Sequence, residues 1–116
     1  MKNIVTLIFC ICVFISSPAY AQSTSYVRGG DLLSVCRVES KNTAFCESYI
    51  AGIIDYHNML RSLNNEPAVR FCIPARYTLK QVTKIVLDDL AKSPQHDHFT
   101  AAPAVTLALF KTFPCK

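Results

Sequence analysis

Four cysteines constrain this chain more than any other feature. They stand at Cys36, Cys46, Cys72 and Cys115 in a sequence of 116 residues. Two others, Cys10 and Cys12, fall in a leader over 1–21. That segment opens with Lys2, carries no charge over 4–15, and closes on Ala19-Tyr20-Ala21. A basic start, a short apolar run and an A-x-A end are the three parts of a secretory signal peptide. The apolar run is about 12 residues, short of the roughly 20 that span a bilayer, so the leader reads as cleaved rather than as an anchor. Phe9 and Ile11, ahead of Cys10 and Cys12, are too large for a lipid-attachment site. Cleavage after Ala21 leaves one domain over 22–116, starting at Gln22, with no membrane partner.

An exported domain of 95 residues (116 less 21) with an even cysteine count reads as two disulfides. The cysteines stand too far apart for a zinc knuckle, and no Cys-x-x-Cys pair suggests a redox enzyme. The formal charge of +4 falls to +3 without Lys2. Lys and Arg are scattered, so there is no basic stripe and nucleic acid is not expected as a partner.

The spacing of apolar residues predicts an all-α fold, a small disulfide-bonded bundle of about four helices. After a polar arm over 22–27, Gly30 or Asp31 can cap a short helix carrying Leu32, Leu33, Val35 and Cys36. Asn42 or Thr43 can cap a second helix, with Glu47 in its first turn. Its stripe is Cys46, Tyr49, Ile50, Ile53, Ile54, His57 and Leu60, at spacings of three and four. Gly52 within it suggests close helix packing. Asn64-Asn65-Glu66-Pro67 stops it. Thr78 and Gln81 form a capping box, with Tyr77 and Val82 as its staple. The third helix presents Leu79, Val82, Ile85, Val86 and Leu90 and ends near Lys92. Thr100 can cap a fourth, with Pro103 tolerated in its first turn and Ala104, Val105, Ala108 and Leu109 as its buried side.

Helix ends rank the cysteine pairings. Cys36 closes the first helix and Cys46 opens the second, so they meet in a hairpin. Cys72 precedes the third helix and Cys115 follows the fourth, so they meet if those helices are antiparallel. Cys36–Cys46 with Cys72–Cys115 is therefore preferred. The rival, Cys46–Cys72 with Cys36–Cys115, must return the chain along the whole second helix, and sequence alone leaves it open.

Between the last two helices lies the stretch 93–99: Ser93, Pro94, Gln95, His96, Asp97, His98 and Phe99. His96 and His98 could join a metal, but the only other histidine is His57 and the thiols are bonded, so too few ligands remain and no metal or other cofactor is expected. No nucleophile motif, phosphate loop or His-Glu helix motif is present, so no catalytic residue is assigned. His57 lies on an apolar stripe and reads as a packed or interface histidine. Asp88 and Asp89 read as solvated. The stretch 93–99 reads as a shaped loop that offers donors, acceptors and one aromatic anchor to another protein's cleft.

The segment "FCIPARYTLKQVTKIVLDDLAKSPQHDHFTAAPAVTLALFKTFPC", 71–115, resembles the Rap and Tai type of small exported immunity proteins. Its marks are Cys-x-Pro before a Thr/Gln-opened helix, a Leu-x-x-x-Pro turn, an Ala-rich helix and a closing Phe-Pro-Cys. "FCESYIAGIID", 45–55, is similar to the family's Cys-containing helix. The resemblance implies a helical periplasmic protein, often dimeric, with no enzymatic activity. Its partner is a cognate peptidoglycan amidase effector of type VI secretion, whose Cys/His site some members block with a loop between late helices. Here that loop is 93–99. A homodimer would use the wide face of the second helix, through Tyr49, Ile53, Tyr56 or His57. The rival readings are a periplasmic acid-stress chaperone, which the excess of basic over acidic residues makes less natural, and a metal-binding protein or enzyme.

Overall fold

A computed structural model describes residues 26–37 and 42–116. The leader over 1–21 lies outside the described residues. Four α-helices follow in order: α1 (Gly29–Arg37), α2 (Thr43–Ser62), α3 (Leu79–Ala91) and α4 (Ala101–Thr112), with a 3-10 turn at Pro94–His96 between the last two. Among the described residues there is no strand, only two single antiparallel bridges, Arg28 with Thr100 and Phe71 with Pro114.

The core is where the stripes meet. α4 buries Ala101, Ala104, Val105, Ala108 and Leu109, at the three-and-four spacing of one helix face. Three of these five are alanines, so neighbouring backbones can come close, and α4 packs against all three other helices. α3 contributes Val82, Val86 and Leu90, α2 Ile50, and α1 the fully buried Leu32. Phe71 and Phe113 close the end near Cys72 and Cys115.

Helix ends follow local chemistry. Thr78 and Gln81 form the capping box: the Thr78 backbone N–H donates to Gln81 Oε1 at 2.8 Å, and the Gln81 N–H donates to Thr78 Oγ1 at 3.3 Å. α2 ends in a Schellman arrangement. Asn65 N–H donates to the Leu60 carbonyl at 2.9 Å and Asn64 N–H to that of Arg61 at 3.1 Å. Asn64 takes the left-handed conformation this requires, at φ 55°.

Several expectations change. α1 begins at Gly29, so Asp31 lies in its first turn rather than at its cap. Val35 is exposed. Asn42 and Thr100 stand at cap positions but make no side-chain cap bond. The Asn42 amide instead donates to the Val35 carbonyl at 3.2 Å and ties α2 back to α1. Glu47 lies beyond the first turn of α2. Leu79 is exposed at the start of α3, while Thr83 takes a buried place on that helix. Tyr77 sets its ring edge-on to Phe113, centroids 4.9 Å apart. Gly52 is exposed, and a Cβ there would meet nothing within 4 Å, so it permits no close packing among the described residues.

The sulfurs are bonded as Cys36–Cys46 and Cys72–Cys115. The second joins the entry to α3 with the exit from α4, and Cys72 N–H donates to the Phe113 carbonyl beside it at 2.7 Å. Asp88 and Asp89 are both paired, with Lys84 at 2.6 Å and with Lys111 at 3.2 Å. The Lys111 pair crosses from α3 to α4. Among the described residues, no helix is long and apolar enough to cross a membrane.

Candidate functional site

The loop 93–99 begins where α3 runs out. Pro94 has no N–H to continue a ladder and starts a 3-10 turn instead. The backbone then folds on itself: His96 N–H donates to the Ser93 carbonyl at 2.9 Å, Asp97 N–H to that of Pro94 at 3.1 Å, and Phe99 N–H to that of His96 at 3.1 Å. Ser93 is buried, at 6 % exposure.

The loop is also clamped from outside. The first N–H groups of a helix have no partner within it. In α1 two of them are used here: Gly29 N–H donates to the Phe99 carbonyl at 2.9 Å and Gly30 N–H to that of Asp97 at 3.2 Å. Ala101 N–H donates to the Val27 carbonyl at 2.9 Å, extending the clamp into α4. The approach is close. A Cβ on Gly29 would lie 2.5 Å from the His96 carbonyl oxygen, and one on Gly30 would lie 3.2 Å from the Asp97 Cβ. The Gly29-Gly30 pair thus has a physical reason that the sequence hinted at only as a helix opening.

With its backbone tied down, the loop turns side chains outward. Pro94, Gln95, His98 and Phe99 are exposed, Phe99 at 63 %, while His96 and Asp97 are half-buried. The His96 and Phe99 rings stand 6.5 Å apart and tilted. Among the described residues, no three or more His, Cys, Asp or Glu side chains gather where they could hold a metal ion.

His57 sits elsewhere, far along α2. It is 4 % exposed and stacked on Phe71, with ring centroids 3.8 Å apart. Its Nε2 accepts from the Phe71 N–H at 3.4 Å, which places the proton of the neutral ring on Nδ1, an atom with no partner of ordinary hydrogen-bond geometry among the described residues. Burial pushes the His57 pKa below its usual 6.5; Arg61 adds to this, while Asn58 and Glu66 oppose it. The residue is a packing element, away from the outer surface of α2.

A groove of about 900 Å³ runs between α2 and α4. Tyr49, Ile53 and His57 line it from α2, Pro103 and Leu107 from α4, and Pro67 and Val69 from the intervening loop. Burial raises the Tyr49 pKa, so its hydroxyl stays protonated. Beside the groove α2 exposes Phe45, Tyr56, Met59 and, at its end, Leu63. The sequence reading missed Phe45, Met59 and Leu63. Their signal was available, since with Tyr49, Gly52 and Tyr56 they recur at alternating spacings of four and three.

No curated protein and no solved structure matches this chain. The family model of the Rap1a immunity proteins does, over residues 28–115. That span runs from the arm beside α1 to the last cysteine and takes in all four helices, both disulfides and the clamped loop. The chain belongs to the Rap1a immunity protein family.

Proposed function

We propose that this chain is a periplasmic immunity protein that binds a peptidoglycan amidase delivered by type VI secretion and occludes its active-site cleft. Family membership supports an immunity role and a cognate effector as partner. Two disulfides suit an oxidising compartment, in keeping with export under the leader over 1–21. The protein acts by binding and not by turnover.

One observation carries the choice of inhibitory element. The loop 93–99 has its backbone fixed by α1 and by its own turn, while Pro94, Gln95, His98 and Phe99 face outward. A loop ordered before binding loses less entropy on association. Phe99 supplies an apolar anchor, and Gln95, His96, Asp97 and His98 supply polar groups around it. A homodimer through the outer part of α2 belongs to the same reading, with Tyr49 and Tyr56 at the contact.

The test is co-purification of the mature protein with its amidase from periplasmic extract, beside a variant with Gln95, His96, Asp97 and His98 replaced by Gly/Ser. The clamp uses backbone carbonyls, so the variant keeps its fold and nearly its thermal stability while the complex weakens. Full protection of cells by the folded variant would remove the loop from the inhibitory role. Failure of the parent protein to slow the purified amidase would remove the function.

A further inference from the structure

The Cys72–Cys115 bridge lies among cations. Arg61 Nη1 stands 3.9 Å from Cys72 Sγ. Two clefts open beside Cys72. One, of about 170 Å³, is lined by Asn58 and Arg61; the other, of about 470 Å³, by Arg76 and Lys116. No Asp or Glu lines either cleft. Glu66 pairs with Arg70 at 3.7 Å, and among the described residues Arg61 is in no ion pair.

These surroundings make the two sulfurs unequal. Neighbouring cations favour a thiolate over a thiol, and the clefts leave one at Cys72 open to water. A sulfur that is stable as a thiolate is the better leaving group in thiol–disulfide exchange. Cys115 supplies the other half of the reaction. It is half-buried between the exposed residues Pro114 and Lys116, within reach of a small thiol. The Cys36–Cys46 bridge offers no such pair. Cys46 is 2 % exposed, so burial opposes both attack on its sulfur and release of a thiolate there, even in the first turn of α2.

The two segments are also held together by more than sulfur. Cys72 N–H donates to the Phe113 carbonyl at 2.7 Å, Phe71 and Pro114 form a bridge, and the rings of Phe71 and Phe113 are buried. Opening the disulfide therefore leaves Cys72 beside Cys115, ready to close again.

We propose that Cys115 is an exchange site for low-molecular-weight thiols, with Cys72 as the leaving sulfur and Arg61 as the group that holds its charge. The incoming thiolate forms a bond to Cys115 Sγ as the Cys72–Cys115 bond breaks. The electron pair of the broken bond goes to Cys72 Sγ, which becomes a thiolate beside Arg61. The product is a mixed disulfide at Cys115. In reverse, the Cys72 thiolate attacks Cys115 Sγ, expels the small thiol and closes the bridge. The site sets a rate, so it is compatible with a bridge that contributes strongly to stability. It goes beyond amidase inhibition and uses neither the loop 93–99 nor a partner protein.

Brief treatment of the oxidised mature protein with reduced glutathione, stopped with N-ethylmaleimide and mapped by mass spectrometry, tests it. Glutathione is expected on Cys115 and maleimide on Cys72, with Cys36–Cys46 still closed. Arg61→Gln should slow opening by roughly threefold or more, and by the same factor with glutathione, an anion, as with 2-mercaptoethanol, which is neutral. Arg61→Lys should restore much of the rate. Arg61 is exposed, so both variants should melt with the parent, which separates a loss of charge from a loss of fold. First addition to Cys72, earlier opening of Cys36–Cys46, or an Arg61→Gln rate equal to the parent's overturns the proposal. Slowing with glutathione alone also overturns it, because Arg61 would then attract the anion rather than hold the leaving sulfur.

Discussion

Gly29→Ala should destabilise this domain even though alanine is the better helix former. Gly29 is the first residue of α1, where the gain in propensity is at most the roughly 1 kcal/mol seen in helix interiors. Against it stands contact with backbone. The new methyl would lie 2.5 Å from the His96 carbonyl oxygen and 3.3 Å from its carbon. A side-chain tip could swing aside, but a carbonyl inside a hydrogen-bonded turn moves only with the turn. Overpacking of this kind costs about 1–3 kcal/mol. Displacing the turn also lengthens the bonds from Gly29 N–H to the Phe99 carbonyl and from Gly30 N–H to that of Asp97, at about 0.5–1.5 kcal/mol each. The net expectation is a loss of about 2 kcal/mol, a fall in melting temperature on the order of 10 °C for a domain of this size. Urea unfolding of the oxidised protein, read by circular dichroism with unchanged m, measures it. Low protein concentration keeps association out of the result. A variant as stable as the parent would show that the loop does not rest on α1 as described. Gly52→Ala is the internal control, because the same methyl meets open space there and should raise monomer stability.

The two disulfides should differ in weight. On the chain-entropy argument, a loop of 10 residues closed by Cys36–Cys46 contributes about 2.7 kcal/mol and one of 43 closed by Cys72–Cys115 about 4 kcal/mol. Paired alanine variants compared by urea unfolding should lose stability in that order, and a greater loss for Cys36→Ala with Cys46→Ala would contradict it. Stability should also fall with pH through His57. Burial holds its native pKa below 6.5, so as the pH drops the unfolded chain binds the proton first. The contribution is complete above pH 6.5 and is lost as the pH falls from there through the lowered native value. His57→Gln keeps an acceptor for the Phe71 N–H and should flatten that part of the stability profile. An unchanged slope would place the titration on another group.

What the sequence disclosed was local. The stripes of α3 and α4 repeat with the period of a helix, and Thr78 and Gln81 lie three apart, so neighbours in sequence suffice to place them. The cysteine pairs follow once helix ends are known, because a hairpin brings such ends together. The clamp on 93–99 was not visible in this way. It joins Gly29 and Gly30 to carbonyls nearly 70 residues on, and backbone groups leave no residue code for their partners. Leu79 and Thr83 traded places for a similar reason: period identifies a face, but the neighbouring helix decides where that face ends.

α2 shows most clearly why a stripe can mislead. Its apolar residues look like one wide face, and Gly52 within it looks like a point of close packing. The structure divides that face, taking Cys46, Ile50 and His57 inward and leaving Phe45, Gly52, Tyr56 and Met59 outside. The four-helix unit matched over residues 28–115 has too little interior to cover every side of a 20-residue helix. The part of the apolar arc that the core leaves uncovered, Phe45, Tyr56 and Met59, stays at the surface. Gly52 gives that its sharpest form. It lowers the stability of the helix that carries it, and no contact among the described residues requires it, since a Cβ there would meet nothing within 4 Å.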